Sequence, residues 1–172
     1  MMENILTALD RALGLIISLD REVFSIVLLS FFVSLTAVFF SCLFSLPLAL
    51  LLALKKIPGN RFIVNTINSL MAVPAVAIGL FIYLLISRRG PLGVLSLLYT
   101  PWAMIIAQAV LATPIITSLS LQTLKRVGSL VKETAVSLGA SGWQIVVTVL
   151  KEAKSSLVAG FIVGFARVIG ET

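Results

Sequence analysis

The chain has 172 residues, 59% of them hydrophobic and only 12% charged, and its mean hydropathy is +1.14. Soluble domains carry about 25% charged residues, so this composition excludes an ordinary water-facing surface and points to an integral membrane protein with several spans. Thirteen basic residues against seven acidic ones give a charge of +6, and their scatter between apolar runs suits membrane loops, not a nucleic-acid patch. Cys42 is alone and there is no His, which excludes an intrachain disulfide, Cys/His metal sites and nucleophile–histidine catalysis.

Ahead of the first long apolar run, Ile5, Leu6, Leu9, Leu13, Ile16 and Ile17 recur at helical spacing, with Asp10 and Arg11 off the stripe. Residues 3–19 therefore read as an amphipathic helix in the membrane interface, with a disordered leader as the alternative. A secretory signal is not expected, because the segment lacks a basic start and charges interrupt it. Three charge-free stretches follow: Val23–Leu54 with 32 residues, Phe62–Ser87 with 26 and Gly90–Leu124 with 35. About 20 apolar residues cross a bilayer, so each stretch is expected to hold one helix plus flanking loop. A fourth run begins at Ser155 and meets Arg167. The predicted spans are 23–54, 62–87, 100–124 and 155–172, in an all-α transmembrane bundle.

Turn chemistry separates the spans, as Ile57-Pro58-Gly59-Asn60 after the first and Arg88-Arg89-Gly90-Pro91-Leu92-Gly93 after the second. Pro47, Pro74 and Pro114 fall inside spans, where each removes a backbone donor and tends to kink a helix. With the N-terminus outside, inside loops hold eight basic residues and outside segments four. The positive-inside rule favours that orientation, and the 125–154 loop decides it.

Lys125 to Lys154 is too long and too patterned for a bare connector. Glu133, Ala135 and Leu138 sit on a helical run expected to begin near Ser129 and to stop at Gly139, a residue suited to a left-handed cap. Ser141 with Gln144 three residues on matches a capping box that starts a second helix. The loop thus reads as helix, glycine turn, helix. Such an elbow either docks into another protein or caps the bundle.

The last run holds Gly160 and Gly164 in a small-xxx-small motif, suited to close helix packing or to a hinge. Arg167 and Glu171 are spaced i, i+4. Inside a membrane Arg167 either attracts an anion or pairs with Glu171. Asn65, Asn68, Pro74, Gln108 and Thr113 are candidate pathway residues; the four polar ones serve equally well as interhelical glue. No catalytic or metal site is expected, and no carboxylate pair suggests an intramembrane enzyme.

Glu133-Thr134-Ala135, then Gly139, then apolar Val149 and Leu150 resembles the EAA loop of ATP-binding-cassette (ABC) importer permeases. Lys151-Glu152 replaces the usual Leu-Pro, as in tungstate-type permeases. Leu46-Pro47-Leu48-Ala49, Ala72 to Leu80, Gly90 to Gly93 and Gly164 to Glu171 are likewise similar to tungstate and molybdate permeases. The resemblance covers Asp20 to Thr172. It implies the type I importer permease (MetI-like) fold and a coupling loop at 125–154, with Glu133, Ala135, Gly139, Ala140 and Trp143 at or beside an ATPase contact. It further implies transport of tungstate or a related oxyanion. The implied partners are a cytoplasmic ATPase, a second permease copy and an extracytoplasmic binding protein, all at the cell membrane. This sequence has no phosphate-cradling Gly-x-x-x-x-Gly-Lys-Ser/Thr loop, so ATP and Mg are expected on the partner. A helix over 155–172 is about 27 Å long, and the family continues into a further span, so a C-terminally truncated chain is expected. The alternatives are a permease for another small anion and a non-transporting scaffold that anchors a cytoplasmic partner.

Overall fold

The computed structural model of the protein describes residues 21–55 and 57–172, so the amphipathic helix expected over 3–19 lies outside the described residues. The first helix, α1, is Arg21–Leu54, 34 residues with Pro47 inside. At 1.5 Å per residue it is about 51 Å long, which is more than the hydrocarbon thickness requires. Its end is closed by the following turn, where Gly59 takes φ 78° and Asn60 Nδ2 donates to the Leu52 carbonyl at 2.9 Å. That bond satisfies one of the carbonyls a helix end leaves free.

The single helix expected across 62–87 is broken in two. Helix α2 is Asn60–Leu70 and α3 is Ala75–Ile86, and the pair is bent by 98°. Pro74 has no N–H for the Leu70 carbonyl and disfavours helical geometry at Val73, so the helix cannot run through. The chain tightens before the break, with Ala72 N donating to Ser69 O at 3.1 Å and Val73 N to Leu70 O at 3.2 Å.

Helix α4 is Pro101–Ser137, 37 residues with Pro101 in its first turn, and α5 is Gly142–Ile169, 28 residues. The expectation of a separate helix pair inside 125–154 is therefore corrected. Residues 125–137 continue α4 out of its apolar part, and 142–154 are the first turns of α5. The one glycine in that part of α4, Gly128, is buried against α1, where a Cβ would stand 3.3 Å from Leu54 Cδ2. It serves close approach and does not break the helix.

Helices α1 and α4 are each long and apolar enough to cross a membrane, and the bent α2–α3 pair makes up to a third span. Helix α5 has a charge-free stretch only from Ser155 to Ala166, about 18 Å. Two apolar clusters hold the helices together. Leu52, Leu121, Leu124, Val149 and Leu157 form one near the α4–α5 turn; Val33, Ala37, Ala112, Ile116 and Val168 form the other. Only 22% of the most apolar stretch of α1 is buried, so Phe39, Leu43 and Phe44 point outward, while the Phe31 ring meets Phe165 of α5 edge-on. The described residues contain no strand; the fold is all-α.

Candidate functional site

The α4–α5 elbow is built by local hydrogen bonds. Gly139 adopts φ 77°, and its N–H donates to Val136 O at 3.0 Å while Ala140 N donates to Ala135 O at 2.9 Å. This is the Schellman arrangement, which closes the carbonyls of the last α4 turn and needs a left-handed residue at that position. Ser141 N then donates to Gln144 Oε1 at 2.7 Å, and Gln144 N donates to Ser141 Oγ at 3.4 Å. Both halves of the capping box are present, so the Ser141 and Gln144 amides are satisfied where α5 starts.

A turn fixed in this way presents its side chains outward. Leu138 is 82% exposed and Trp143 74% exposed; Glu133 is also exposed, while Ala135 and Ala140 are half-buried. Trp143 and Lys132 also line a groove of about 640 Å³ with Pro47, Leu51, Lys55 and Ile145. A tryptophan this exposed on a turn fixed by local hydrogen bonds suits the anchor of a docking surface.

The candidate pathway residues do not form one lining. Asn65 and Asn68 are both exposed, and Asn68 Oδ1 accepts from Ser118 Oγ at 2.8 Å, tying α2 to α4. The Thr113 hydroxyl donates to Ala109 O within its own helix at 2.7 Å. Pro74 sits at the helix break. Gln108 and Glu171 are brought together around a cavity of about 220 Å³ at the start of α3, with Ala75, Val76 and Gly79. Gln108 is buried, and its Nε2 donates to Thr172 Oγ1 at 3.2 Å. Arg167 and Glu171 form the i, i+4 ion pair at 3.1 Å.

Gly160 and Gly164 both face α4. A Cβ at Gly160 would reach Leu119 Cβ at 3.4 Å, and one at Gly164 would reach Ile116 Cγ1 at 2.6 Å. The motif packs helix on helix. A second seam joins α1 to α4, where Ser41 Oγ donates to Ala109 O at 2.9 Å and Ser45 Oγ to Thr113 O at 3.1 Å. Sequence reasoning missed these serines. Their signal was the row Ser34, Ala37, Ser41, Ser45, Ala49, small residues on one helical face and all buried. In lipid such rows mark where helix backbones approach, because apolar side chains alone cannot.

Long apolar helices, packed through small residues and hydroxyls, define an α-helical membrane protein with one rigid elbow. Residues 45–172 match the family described as binding-protein-dependent transport system inner membrane component, and the chain belongs to that family. It is 38% identical over 170 residues to a tungstate uptake system permease of Peptoclostridium acidaminophilum, covering 99% of this chain and 75% of that protein. It is 34% identical to a probable anion ABC transporter permease of Haloferax volcanii, over 86% of this chain and 63% of that one. A molybdenum transport system permease of Haemophilus influenzae is 31% identical, over 80% of this chain and 66% of its own length. The chain thus spans less than two thirds of the latter two relatives.

Proposed function

We propose that this chain is the membrane-spanning permease subunit of an ATP-driven importer for tungstate or a related oxyanion. Tungstate, molybdenum and unspecified anion permeases among its relatives support the cargo class. The observation that carries the coupling role is the elbow. It joins two helices that continue into the bundle, so a push on Glu133, Leu138 or Trp143 moves α4 and α5 as levers. Its surface docks a cytoplasmic ATPase subunit that holds ATP and Mg. Two permease copies enclose the path, an extracytoplasmic binding protein delivers the ion, and the N-terminus of each copy lies outside.

Two variants test the coupling role. Gly139→Pro imposes φ near −65° where the turn has 77° and deletes the bond to Val136. Glu133→Lys reverses an exposed charge and leaves the fold alone. Both are expected to insert normally, to lose co-purifying ATPase and to lose substrate-stimulated ATP hydrolysis, Gly139→Pro more completely. Wild-type ATPase binding and transport by both variants would remove the elbow from the mechanism. ATPase binding without any oxyanion-stimulated hydrolysis in the wild type would instead favour the scaffold.

A further inference from the structure

The segment between α3 and α4, residues 87–100, does more than turn the chain. It lines a cavity of about 480 Å³ at the end of α4 opposite the elbow, and the polar lining is Arg88, Arg89, Ser87, Ser96, Tyr83 and Tyr99. Two guanidinium groups and the hydroxyls of Ser96, Tyr83 and Tyr99 thus border one concavity, the Ser87 hydroxyl being committed to Leu84 O at 3.1 Å, and among the described residues no carboxylate lines it. Neither arginine is within ion-pair distance of a carboxylate among the described residues.

The loop is built, not slack. Leu92 N donates to Leu85 O at 2.9 Å and Gly90 N to Ser87 O at 2.8 Å, which folds the Arg-Arg-Gly-Pro turn back onto the end of α3. Gly90 is pressed so close to the Leu84 and Leu85 carbonyls that no Cβ fits there. Ser96 and Tyr99 have φ of 50° and 64°, the only positive values among described non-glycine residues. Both line the cavity. Left-handed conformations are unfavourable for such residues and gather where a site over-determines the backbone.

We propose that this cavity is a low-affinity receptor for a tetrahedral oxyanion on the outer face of the permease. A guanidinium presents paired N–H groups that match two oxygens of such an ion, and the Ser96, Tyr83 and Tyr99 hydroxyls can donate to the others. A pair of positive charges that meets no described carboxylate in a concave mouth raises the local anion concentration. The site is weak because its arginines are exposed, where water and salt screen them. Weak binding suits a transit site, since an ion held tightly at the mouth would not move on. The identification of the ion as cargo rests on the function proposed above, whereas the anion chemistry of the cavity does not.

The test is hydrogen exchange of the full-length permease–ATPase complex with tungstate, against chloride at matched ionic strength. It is run in maltoside detergent and in phosphatidylglycerol nanodiscs. Tungstate is expected to slow exchange within 87–100 in both media and to leave 142–150 unchanged. Arg88→Gln/Arg89→Gln is expected to weaken that effect about tenfold or more, as charge-assisted bonds are lost, and Tyr99→Phe to weaken it less. ATPase co-purification checks that the variants are folded. Protection in detergent alone would mean that a lipid headgroup phosphate owns the cavity, and would overturn the proposal. No tungstate-specific protection in the wild type, or equal protection in the double variant, would also overturn it. If only docking of the binding protein depends on the arginines, they are a protein contact and the proposal fails. Oxyanion uptake is measured separately, so a permease that binds tungstate at this loop but imports another solute is recognised as such.

Discussion

Gly160 and Gly164 occupy the two small positions of one motif, yet their surroundings differ. At Gly160 an added methyl meets Leu119 at ordinary contact distance, while at Gly164 it would drive into Ile116, which is fully buried. Gly164→Ala is therefore expected to lower the melting temperature in detergent clearly more than Gly160→Ala, with overpacking costing about 1–3 kcal/mol. Ile116→Val in the Gly164→Ala background should recover part of the loss. Equal effects at the two glycines would show that α5 does not pack on α4 as described. The seam serines act on a smaller scale. Losing the Ser41 and Ser45 bonds to α4 carbonyls by a double change to Ala is expected to cost about 1 kcal/mol, because interhelical hydrogen bonds in membranes average about 0.6 kcal/mol each. Chemical unfolding in mixed micelles measures it.

Among the elements, the elbow is the one whose parts were all legible beforehand. Gly139, Ser141 and Gln144 announce a left-handed cap and a capping box, and the bonds they make span five residues or fewer. What could not be read was that the helices on either side are continuous with the spans. A charged stretch such as 125–137 is as helical as the apolar one before it; hydropathy drops there, but helix propensity does not. The same confusion of hydropathy with helix continuity, in the opposite sense, hid the break in 62–87, where apolar character persists through Met71 to Pro74. Ser141→Ala is expected to cost about 1 kcal/mol of local stability. Amide exchange in 142–146 should rise while membrane insertion and the α4 amides stay unchanged. Unaltered exchange there would mean that the cap is redundant.

For the whole molecule, two predictions concern the arrangement around the bilayer. With the N-terminus outside, the elbow faces the cytoplasm. In a background where Cys42 is replaced by Ala, Gly142→Cys places a thiol in open space on the elbow. It should resist an impermeant maleimide added to intact cells and react after permeabilisation. Labelling from outside would invert the topology. The second prediction is dimerisation. Among the described residues the candidate polar side chains are divided among separate seams and one small cavity, so a second copy is expected to complete the path. Native mass spectrometry of the full-length complex should therefore show two permease copies, and a strictly monomeric permease in an active complex would refute the pairing.

The solvent of this protein, its helical class, its capped elbow and the i, i+4 spacing of Arg167 and Glu171 were legible in the sequence alone, which left open whether those two residues pair. Composition sets the first two, and the others need only partners within four or five residues along one helix or turn. Tertiary structure decided which face of each helix is buried, where α2 gives way to α3, and which polar residues meet. The reason is physical. Lipid tails and packed side chains are equally apolar, so hydrophobicity does not distinguish the lipid face of α1, with Phe39 and Phe44, from its protein face, with Ser41 and Ser45. Only the approach of another backbone turns a small hydroxyl into an interhelical bond, and that approach is a property of the assembled helices.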